Sequence, residues 1–196
     1  MPNPWFDDVS KIKEEILETE QVFKGSFLNI QRDKVRCANQ SVHTREYVKH
    51  RGACAMLAFD AGGRIILEWQ WRDACKKPFV EIPAGKIDPG EDIFSCARRE
   101  LEEETGYIAH ELAHLGTIRS AIAYSEEKID IFVCTRLEQG RTHFDAGECL
   151  QTRWVDFDEV YEAAISGVFD DAKTLVGILW GRAYFNGKKK AQTRTF

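Results

Sequence analysis

A run of carboxylates near the middle of the chain, RELEEE at residues 99–104, is the first candidate for chemistry. If the segment is helical, residues advance by about 100° per position, so Glu100, Glu103 and Glu104 share one face. Clustered carboxylates repel one another, which raises their pKa and destabilises the helix. A divalent cation such as Mg²⁺ or Mn²⁺, which prefers oxygen ligands, removes this repulsion. A run of acids is also typical of a solvated helix face, so composition leaves both interpretations open.

A helix is predicted for this segment, from about residue 92 to residue 105. Phe94, Ala97 and Leu101 recur at helical spacing beside the acids and would pack the helix against a sheet. Gly106 follows at the place where a helix commonly ends in a left-handed residue. The acids are therefore expected along one edge of a helix whose other side is buried.

The spacing of the acids from Gly85 and Glu91 favours the metal interpretation. Residues 85–107 match G-x5-E-x7-R-E-U-x-E-E-x-G-U, where U is an apolar residue or similar, here Leu101 and Tyr107. The tyrosine departs from the usual aliphatic residue. A chance match in a chain of this length has a probability on the order of 10⁻⁷ at average residue frequencies. The pattern is the signature of the Nudix hydrolases, which the chain resembles.

The resemblance implies an α/β/α sandwich, of class α+β, with the signature as a loop–helix–loop, and hydrolysis of a nucleoside diphosphate linked to another moiety. It implies Glu100 and Glu104 as the principal metal ligands, with Glu103 nearby as a further or bridging ligand or catalytic group. Glu91 and Arg99 would hold the loop against the helix. Glu102 occupies an unspecified position of the signature and is expected to be solvated. Bound metals would activate a water and neutralise phosphate charge.

Two neighbouring segments narrow the resemblance to ADP-ribose pyrophosphatases and their sugar-nucleotide relatives. EIPAGKIDPGE at residues 81–91 is similar to a segment whose backbone carbonyl before the glycine is a metal ligand, which implies Ala84. LEWQWR at residues 67–72 is similar to a strand whose arginine contacts the substrate diphosphate, which implies Arg72. A surface ion pair is the alternative interpretation of Arg72.

Two further segments depart from the subfamily's pattern. SAIAYSEEK at residues 120–128 lacks the usual proline, which weakens ADP-ribose relative to another nucleotide sugar, although Glu127 keeps the position of an acid that contacts substrate or supports the fold. A later loop offers Glu148, or alternatively Asp145, as the general base or metal ligand of these enzymes. The familiar neighbouring glutamate is Ala146 here, so the base stays open. A loop carboxylate can close over substrate and exclude water, but Glu148 also fits a solvated loop acid.

The N-terminal strands, at residues 23–36 and 45–57, resemble those of a small subdomain that exchanges between two protomers. The resemblance implies a homodimer in which each subdomain completes the partner's site, with Arg45 as a candidate substrate contact. It also implies an aromatic side chain near the adenine, which the sequence does not identify. Trp69 and Trp71 are expected in the core or in an interface.

Composition bounds the classes of function. At 196 residues, with 43% hydrophobic and 30% charged residues, the chain has ordinary globular composition. Its net charge of −5 argues against nucleic-acid or anionic-membrane partners, since both need clustered positive charge. The six cysteines form no C-x-x-C pair, so neither a zinc site nor a compact disulfide framework is predicted. The start lacks a signal-peptide pattern and no apolar run approaches the roughly 20 residues that span a bilayer, so the cytoplasm is the predicted compartment.

The predicted organisation has three parts: an N-terminal helix and β subdomain at residues 1–50, the hydrolase domain at 51–186 and a basic flexible tail at 187–196. Residues 61–63 are predicted to form a turn that leads into the strand at 64–72, as in a hairpin. Helices are predicted at about 10–20, 92–105, 156–165 and 171–185, and strands at 21–36, 45–60, 64–72, 78–85, 115–123, 128–137 and 151–155.

These features together predict Mg²⁺-dependent hydrolysis of ADP-ribose to AMP and ribose 5-phosphate. GDP-mannose or another nucleoside diphosphate sugar is the alternative substrate. A sensor that binds ADP-ribose without turnover is a third hypothesis. The complete signature argues against the sensor, because losing one metal carboxylate would be the simplest way to lose catalysis.

Overall fold

The computed structural model describes Trp5, residues 8–144, Gly147, residues 149–187 and the backbone of residues 192–195. Its chain forms two compact units. One comprises Met1–His50 with Ala121–Glu127, and the other comprises Arg51–Ser120 with Lys128–Phe196.

The first unit is built on an antiparallel three-stranded sheet in the order β1 (Glu15–Lys24), β2 (Asn29–Arg36) and β3 (Val42–Val48). Residues 121–127 join this unit through a parallel bridge between Val48 and Ser125. The Val48 N–H also donates to the Tyr124 carbonyl at 2.8 Å. The segment that the sequence linked to substrate binding thus belongs to the unit that carries the N-terminal strands.

The helix predicted for residues 10–20 is wrong. A 3-10 helix covers only Val9–Lys11, and β1 begins at Glu15. Helical spacing of Ile16 and its neighbours suggested the helix, but pairing with β2 satisfies the backbone of the whole strand. Tertiary pairing has overridden a weak local periodicity, as it commonly does in short segments.

The second unit holds two sheets and three α-helices within the described residues. Its elements are β4 (Ala53–Ala58), β5 (Arg64–Arg72), β6 (Lys77–Glu81), β7 (Ala84–Lys86), α1 (Ile93–Thr105), β8 (Tyr107–Ile118), β9 (Ile129–Gln139), β10 (Leu150–Asp156), α2 (Phe157–Ile165), α3 (Ala172–Phe185) and β11 (Gln192–Thr195). The larger sheet has the order β11-β8-β9-β4-β7, and the smaller has the order β10-β5-β6.

Side chains that alternate along β4 build two separate apolar cores. Leu57 points into the core that contains Ile178 of α3. Met56 points into the core that contains Leu101 of α1. Because β4 is buried on both faces, every residue from Ala53 to Ala58 is apolar. The large sheet therefore lies between α1 on one side and α2 and α3 on the other, which confirms the predicted α/β/α sandwich.

The helix ends follow the sequence signals. The Asp92 carboxylate accepts hydrogen bonds from the backbone N–H groups of Phe94 and Ser95 at the start of α1. Gly106 ends α1 with φ of 72°. Asp156 and Asp171 cap α2 and α3 in the same way. Within the described part of the chain, no helix is long and apolar enough to cross a membrane.

Two connections differ from the prediction. The turn at residues 61–63 leads from β4 to β5 as expected, but only one bridge, Phe59 to Ile65, joins them before they enter different sheets. The predicted flexible tail contains β11, which pairs antiparallel with β8. An edge strand has unpaired backbone N–H and C=O groups, and another segment of the chain can form hydrogen bonds with them. The polar composition of the tail does not predict this pairing.

Candidate active site

The loop before α1 is fastened to the helix by one arginine. Arg99 donates from Nε and Nη2 to the two carboxylate oxygens of Glu91, at 2.9 and 2.8 Å, and from Nη2 to the Lys86 carbonyl at 3.0 Å. Hydrogen bonding to Glu91 raises the pKa of Arg99, and the same pair holds the pKa of Glu91 below its ordinary value. A bidentate guanidinium–carboxylate pair fixes both groups in one plane, so the loop has a defined position on the helix.

The same guanidinium lies between two of the clustered acids. Arg99 donates from Nη1 to Glu100 at 2.8 Å and to Glu103 at 2.9 Å. It therefore offsets part of the repulsion that three neighbouring carboxylates would otherwise suffer. Glu102 lies outside this hydrogen-bonded set and is partly exposed.

Glu104 and Glu100 pack against the strand that precedes the loop. Glu104 is only 5% exposed, and its carboxylate accepts the Ala84 N–H at 3.0 Å. The Glu100 carboxylate lies so close to Gly85 that a Cβ there would be 1.8 Å from the Glu100 carboxyl carbon. The glycine is thus required by close approach, and the two acids are held side by side at β7.

These groups fit a divalent cation by their chemistry. Glu100, Glu103 and Glu104 offer the oxygen ligands that hard cations prefer, and the backbone of Ala84, whose N–H donates to Glu104, offers a further carbonyl oxygen. Within the residues that the structure describes, no three Asp, Glu, His or Cys side chains are grouped closely enough to hold a metal ion. Arg99 donates to Glu100 and Glu103 here. Each carboxylate has two oxygens and about four lone-pair sites, so it can bind Arg99 and a cation together.

Arg72 forms an ion pair with Glu81 on the adjacent strand. Its Nε and Nη2 donate to the two carboxylate oxygens at 2.7 and 2.8 Å, while 43% of the arginine side chain stays exposed. These hydrogen bonds raise the pKa of Arg72 against the effect of burial, and the charges of Asp171 and Glu104 add to the rise. An ion pair and a substrate contact are therefore compatible interpretations of Arg72, because one edge of the guanidinium is paired with Glu81 and the side chain still reaches solvent.

The remaining candidates fall into two groups. Arg45 and Glu127 belong to the first unit, where Arg45 donates to Glu14 and Glu127 lies 3.6 Å from His50. Asp145 and Glu148 lie outside the described residues. The choice between the two loop carboxylates therefore stays a prediction.

Trp69 and Trp71 do not lie in the core. They are 51% and 57% exposed and occupy one face of β5, since residues two apart in a strand point the same way. Val80, opposite Trp69 in the β5–β6 register, is also exposed. The expectation of a core position is wrong for this chain, and that of an interface stays a prediction.

The NUDIX domain family matches residues 48–176, which is more than half of the chain and includes the whole loop–helix–loop. The chain belongs to the Nudix family. Nudix hydrolases as a rule require a divalent metal ion, in agreement with the oxygen-rich donor set at α1.

Individual Nudix relatives extend over nearly the full chain. An ADP-ribose pyrophosphatase of Bacillus subtilis (strain 168) is 32% identical over 172 residues, covering 87% of this chain and 93% of the relative. A methanol dehydrogenase activator of Bacillus methanolicus is 32% identical over 168 residues, covering 85% and 91%. The crystal structure of an ADP compounds hydrolase has the same fold, with a TM-score of 0.79 at 22% identity, covering 90% of this chain and 96% of that one.

Two buried charged residues beside the Nudix site, Glu81 and Lys173, have no role that the sequence predicted. Both have a recognisable signal. Glu81 interrupts the apolar strand PFVEI, and Lys173 stands in the first turn of the mostly apolar helix α3. A charge in an otherwise apolar pattern is buried only when it is paired, but the sequence does not reveal the partner.

Proposed function

We propose that this Nudix hydrolase cleaves the pyrophosphate bond of ADP-ribose, with Mg²⁺, to give AMP and ribose 5-phosphate. The observation that carries the proposal is the arrangement at α1, where Arg99 fastens the loop through Glu91 and the acids Glu100 and Glu104 lie at β7. The B. subtilis relative supports the choice of ADP-ribose, because it is named an ADP-ribose pyrophosphatase and its similarity extends over nearly the whole chain.

The metal would be held by Glu100, Glu104 and the Ala84 carbonyl, with Glu103 as a further ligand or catalytic group. A bound divalent ion supplies charge neutralisation at the phosphates and lowers the pKa of an attacking water. Arg99 keeps the carboxylates at their places, and the Ala84 N–H orients Glu104. Mn²⁺ is the alternative metal, because it prefers the same oxygen ligands.

The substrate would be held by arginines and a loop acid. We expect Arg72 to contact the diphosphate through the edge that Glu81 leaves exposed. Arg45 and Glu127 are the further substrate contacts that the subfamily resemblance implies. Glu148, or Asp145 in its place, would take the proton from the attacking water.

A homodimer is proposed, with residues 1–50 as the dimer-forming subdomain and 51–186 as the hydrolase domain. Two sets of exposed apolar side chains support it. Ile16 and Phe23 are exposed on β1, and Trp69 and Trp71 are exposed on β5. Exposed apolar patches of this kind usually mark interaction sites.

The cytoplasm is the proposed compartment, and no nucleic acid or membrane is proposed as a partner. All six cysteines are free, three of them buried, which suits a reducing environment. The net charge of −5 remains the argument against polyanionic partners.

The proposed activity is tested with a substrate panel. Purified protein is incubated with ADP-ribose, GDP-mannose, NADH or a diadenosine polyphosphate, with Mg²⁺ or with chelator, and released phosphomonoesters are measured. We expect the highest kcat/KM on ADP-ribose and no turnover in chelator. A preference for GDP-mannose would indicate that the altered segment at residues 120–128 changes the substrate from ADP-ribose to that sugar nucleotide. If folded, metal-replete protein hydrolyses none of these compounds, the proposed enzymatic activity is refuted.

Glu148→Gln is expected to lower kcat by roughly 10²- to 10⁴-fold, the usual contribution of a general base, with substrate affinity retained. Steady-state kinetics and binding of α,β-methylene ADP-ribose measure the two quantities separately. Asp145→Asn is the matched control. If Glu148→Gln keeps the wild-type rate and Asp145→Asn loses it, Asp145 is the base.

The proposed dimer gives a second prediction. At micromolar concentration the protein should elute and scatter light as a particle of twice 22.5 kDa. Replacing exposed apolar residues of β1, for example Ile16→Glu with Phe23→Glu, should shift it to the monomer because the charge opposes burial. A wild-type monomer under these conditions contradicts the exchanged arrangement.

A further inference from the structure

Four charged side chains meet where β5, β6 and the start of α3 come together. Glu81 is 3% exposed and Lys173 is 9% exposed, while Arg72 and Asp171 lie at the edge of the group. Two of the four are acids and two are bases. We name these residues the buried charge cluster: Arg72, Glu81, Asp171 and Lys173.

Glu81 is held between two cations. Lys173 donates from Nζ to the same carboxylate oxygen, Oε2, that accepts Arg72 Nη2, and donates also to Asp171 at 2.9 Å. Burial alone would raise the pKa of Glu81, but Arg72 and Lys173 together hold it below its ordinary value. The carboxylate therefore stays ionised, and its orientation is set by the lysine and the arginine together.

Lys173 is itself fixed by the start of α3. Asp171 caps the helix by accepting the Thr174 N–H at 3.0 Å, and Lys173 pairs with that same Asp171 carboxylate. Thr174 Oγ1 in turn accepts the Ile82 N–H at 3.0 Å, one residue beyond Glu81. The helix start and the end of β6 are thus joined at two neighbouring points.

This junction is continuous with the metal-binding side of the Nudix site. After Ile82, the Pro83 carbonyl accepts the Met56 N–H at 2.8 Å, and the Ala84 N–H donates to Glu104. Glu104 also contributes to the electrostatic field at Arg72. The segment from Glu81 to Ala84 therefore joins the buried charge cluster at one end to a proposed metal ligand at the other.

Stability does not account well for such a cluster. Burying two ions carries a large desolvation penalty, and well-packed apolar residues often replace such pairs without loss of stability. What the cluster does provide is a fixed guanidinium. A free arginine side chain samples many rotamers, and bidentate pairing removes this freedom before any ligand binds.

We propose that Lys173 and Glu81 are positioning residues that orient Arg72 toward the diphosphate of the substrate, an inference that rests on the proposed function. Lys173 sets the Glu81 carboxylate, and Glu81 sets the plane of the Arg72 guanidinium. The remaining terminal nitrogen, Nη1, is left to contact a phosphate oxygen. Neither Lys173 nor Glu81 need touch the substrate.

A double-mutant cycle separates positioning from general support. Arg72→Ala alone should raise KM for ADP-ribose by roughly 10- to 100-fold, the usual value of a hydrogen bond to a charged group. Lys173→Met should raise KM by roughly 5- to 30-fold with kcat little changed, and should have no further effect in the Arg72→Ala background. Glu81→Gln is the second variant, with the same expected coupling. Thermal unfolding checks that each variant is folded.

Lys77→Met is the matched control. Lys77 pairs with Asp170 at 2.6 Å on the same edge of the protein, but both side chains are more than half exposed. An exposed pair of this kind contributes little, so KM should stay within about twofold of wild type. Equal effects of Lys173→Met with and without Arg72 would overturn the inference, and so would a wild-type KM in folded Lys173→Met and Glu81→Gln.

Binding of α,β-methylene ADP-ribose, measured by calorimetry on the same variants, distinguishes this inference from the proposed function. If the wild type binds the analogue with the expected coupling but hydrolyses no ADP-ribose, the positioning role stands and the proposed activity falls. If ADP-ribose is hydrolysed but the effects are additive, only the positioning role falls. Protein that neither hydrolyses ADP-ribose nor binds the analogue overturns both.

Discussion

Glu104→Gln is expected to lower kcat/KM for ADP-ribose by about 10³-fold, while the protein stays folded. Glu104 is almost fully buried and accepts the Ala84 N–H, and the glutamine amide oxygen can keep that hydrogen bond. What the substitution removes is the negative charge and one metal-binding oxygen. Loss of about 4 kcal/mol of metal-based transition-state stabilisation corresponds to this factor.

The measurement has two parts, steady-state kinetics over a Mg²⁺ titration and calorimetric Mg²⁺ binding. The variant should bind Mg²⁺ more weakly than wild type, with an unfolding free energy within about 1 kcal/mol of it. Glu102→Gln, on the same helix but outside the hydrogen-bonded acids, is the control and should stay within about twofold in rate. A Glu104→Gln enzyme with wild-type kcat/KM and Mg²⁺ affinity would refute the ligand role.

Among glycine-to-alanine substitutions, Gly85→Ala is expected to lower the activity most. The new Cβ would lie 1.8 Å from the carboxyl carbon of Glu100, so the carboxylate must leave its position. Because that carboxylate ends a flexible side chain, the fold should survive at a cost of about 1–3 kcal/mol. The proposed ligand is displaced, however, so kcat/KM should fall by roughly 10²- to 10³-fold.

Gly62→Ala is the matched glycine control. A Cβ at Gly62 meets only Asp60 at 3.4 Å, an ordinary contact in a turn far along the chain from α1. Its rate should equal that of wild type. If Gly85→Ala also keeps the wild-type rate and Mg²⁺ affinity, the Glu100 carboxylate is not needed at Gly85 during catalysis.

The catalytic helix could be predicted well because its signals are local. Asp92 and Gly106 mark its ends, and the buried residues Ala97 and Leu101 recur at the helical period, so no distant part of the chain is needed to define it. The match of the signature to the Nudix family rests on the same local spacing. The separation of Glu102 from the other acids follows from the same signature, in which the position of Glu102 is unspecified.

The first unit could not be predicted in the same way. Ile16 and Leu17 fit a helical period as readily as a strand, and only pairing with β2 decides for β1. The position of β11 beside β8 likewise depends on an edge that the sequence does not display. Short apolar runs are ambiguous because tertiary contacts, which outweigh local propensity, select between conformations.

By itself, the sequence determined the Nudix loop–helix–loop, its end at Gly106 and the acids that share a face. Only the tertiary structure brought Glu81 together with Lys173, 92 positions further along the chain. It also showed Arg99 between Glu100 and Glu103, and the Glu100 carboxylate against Gly85. The physical reason is that a buried charge must find an opposite charge, and which one it finds depends on how distant elements pack.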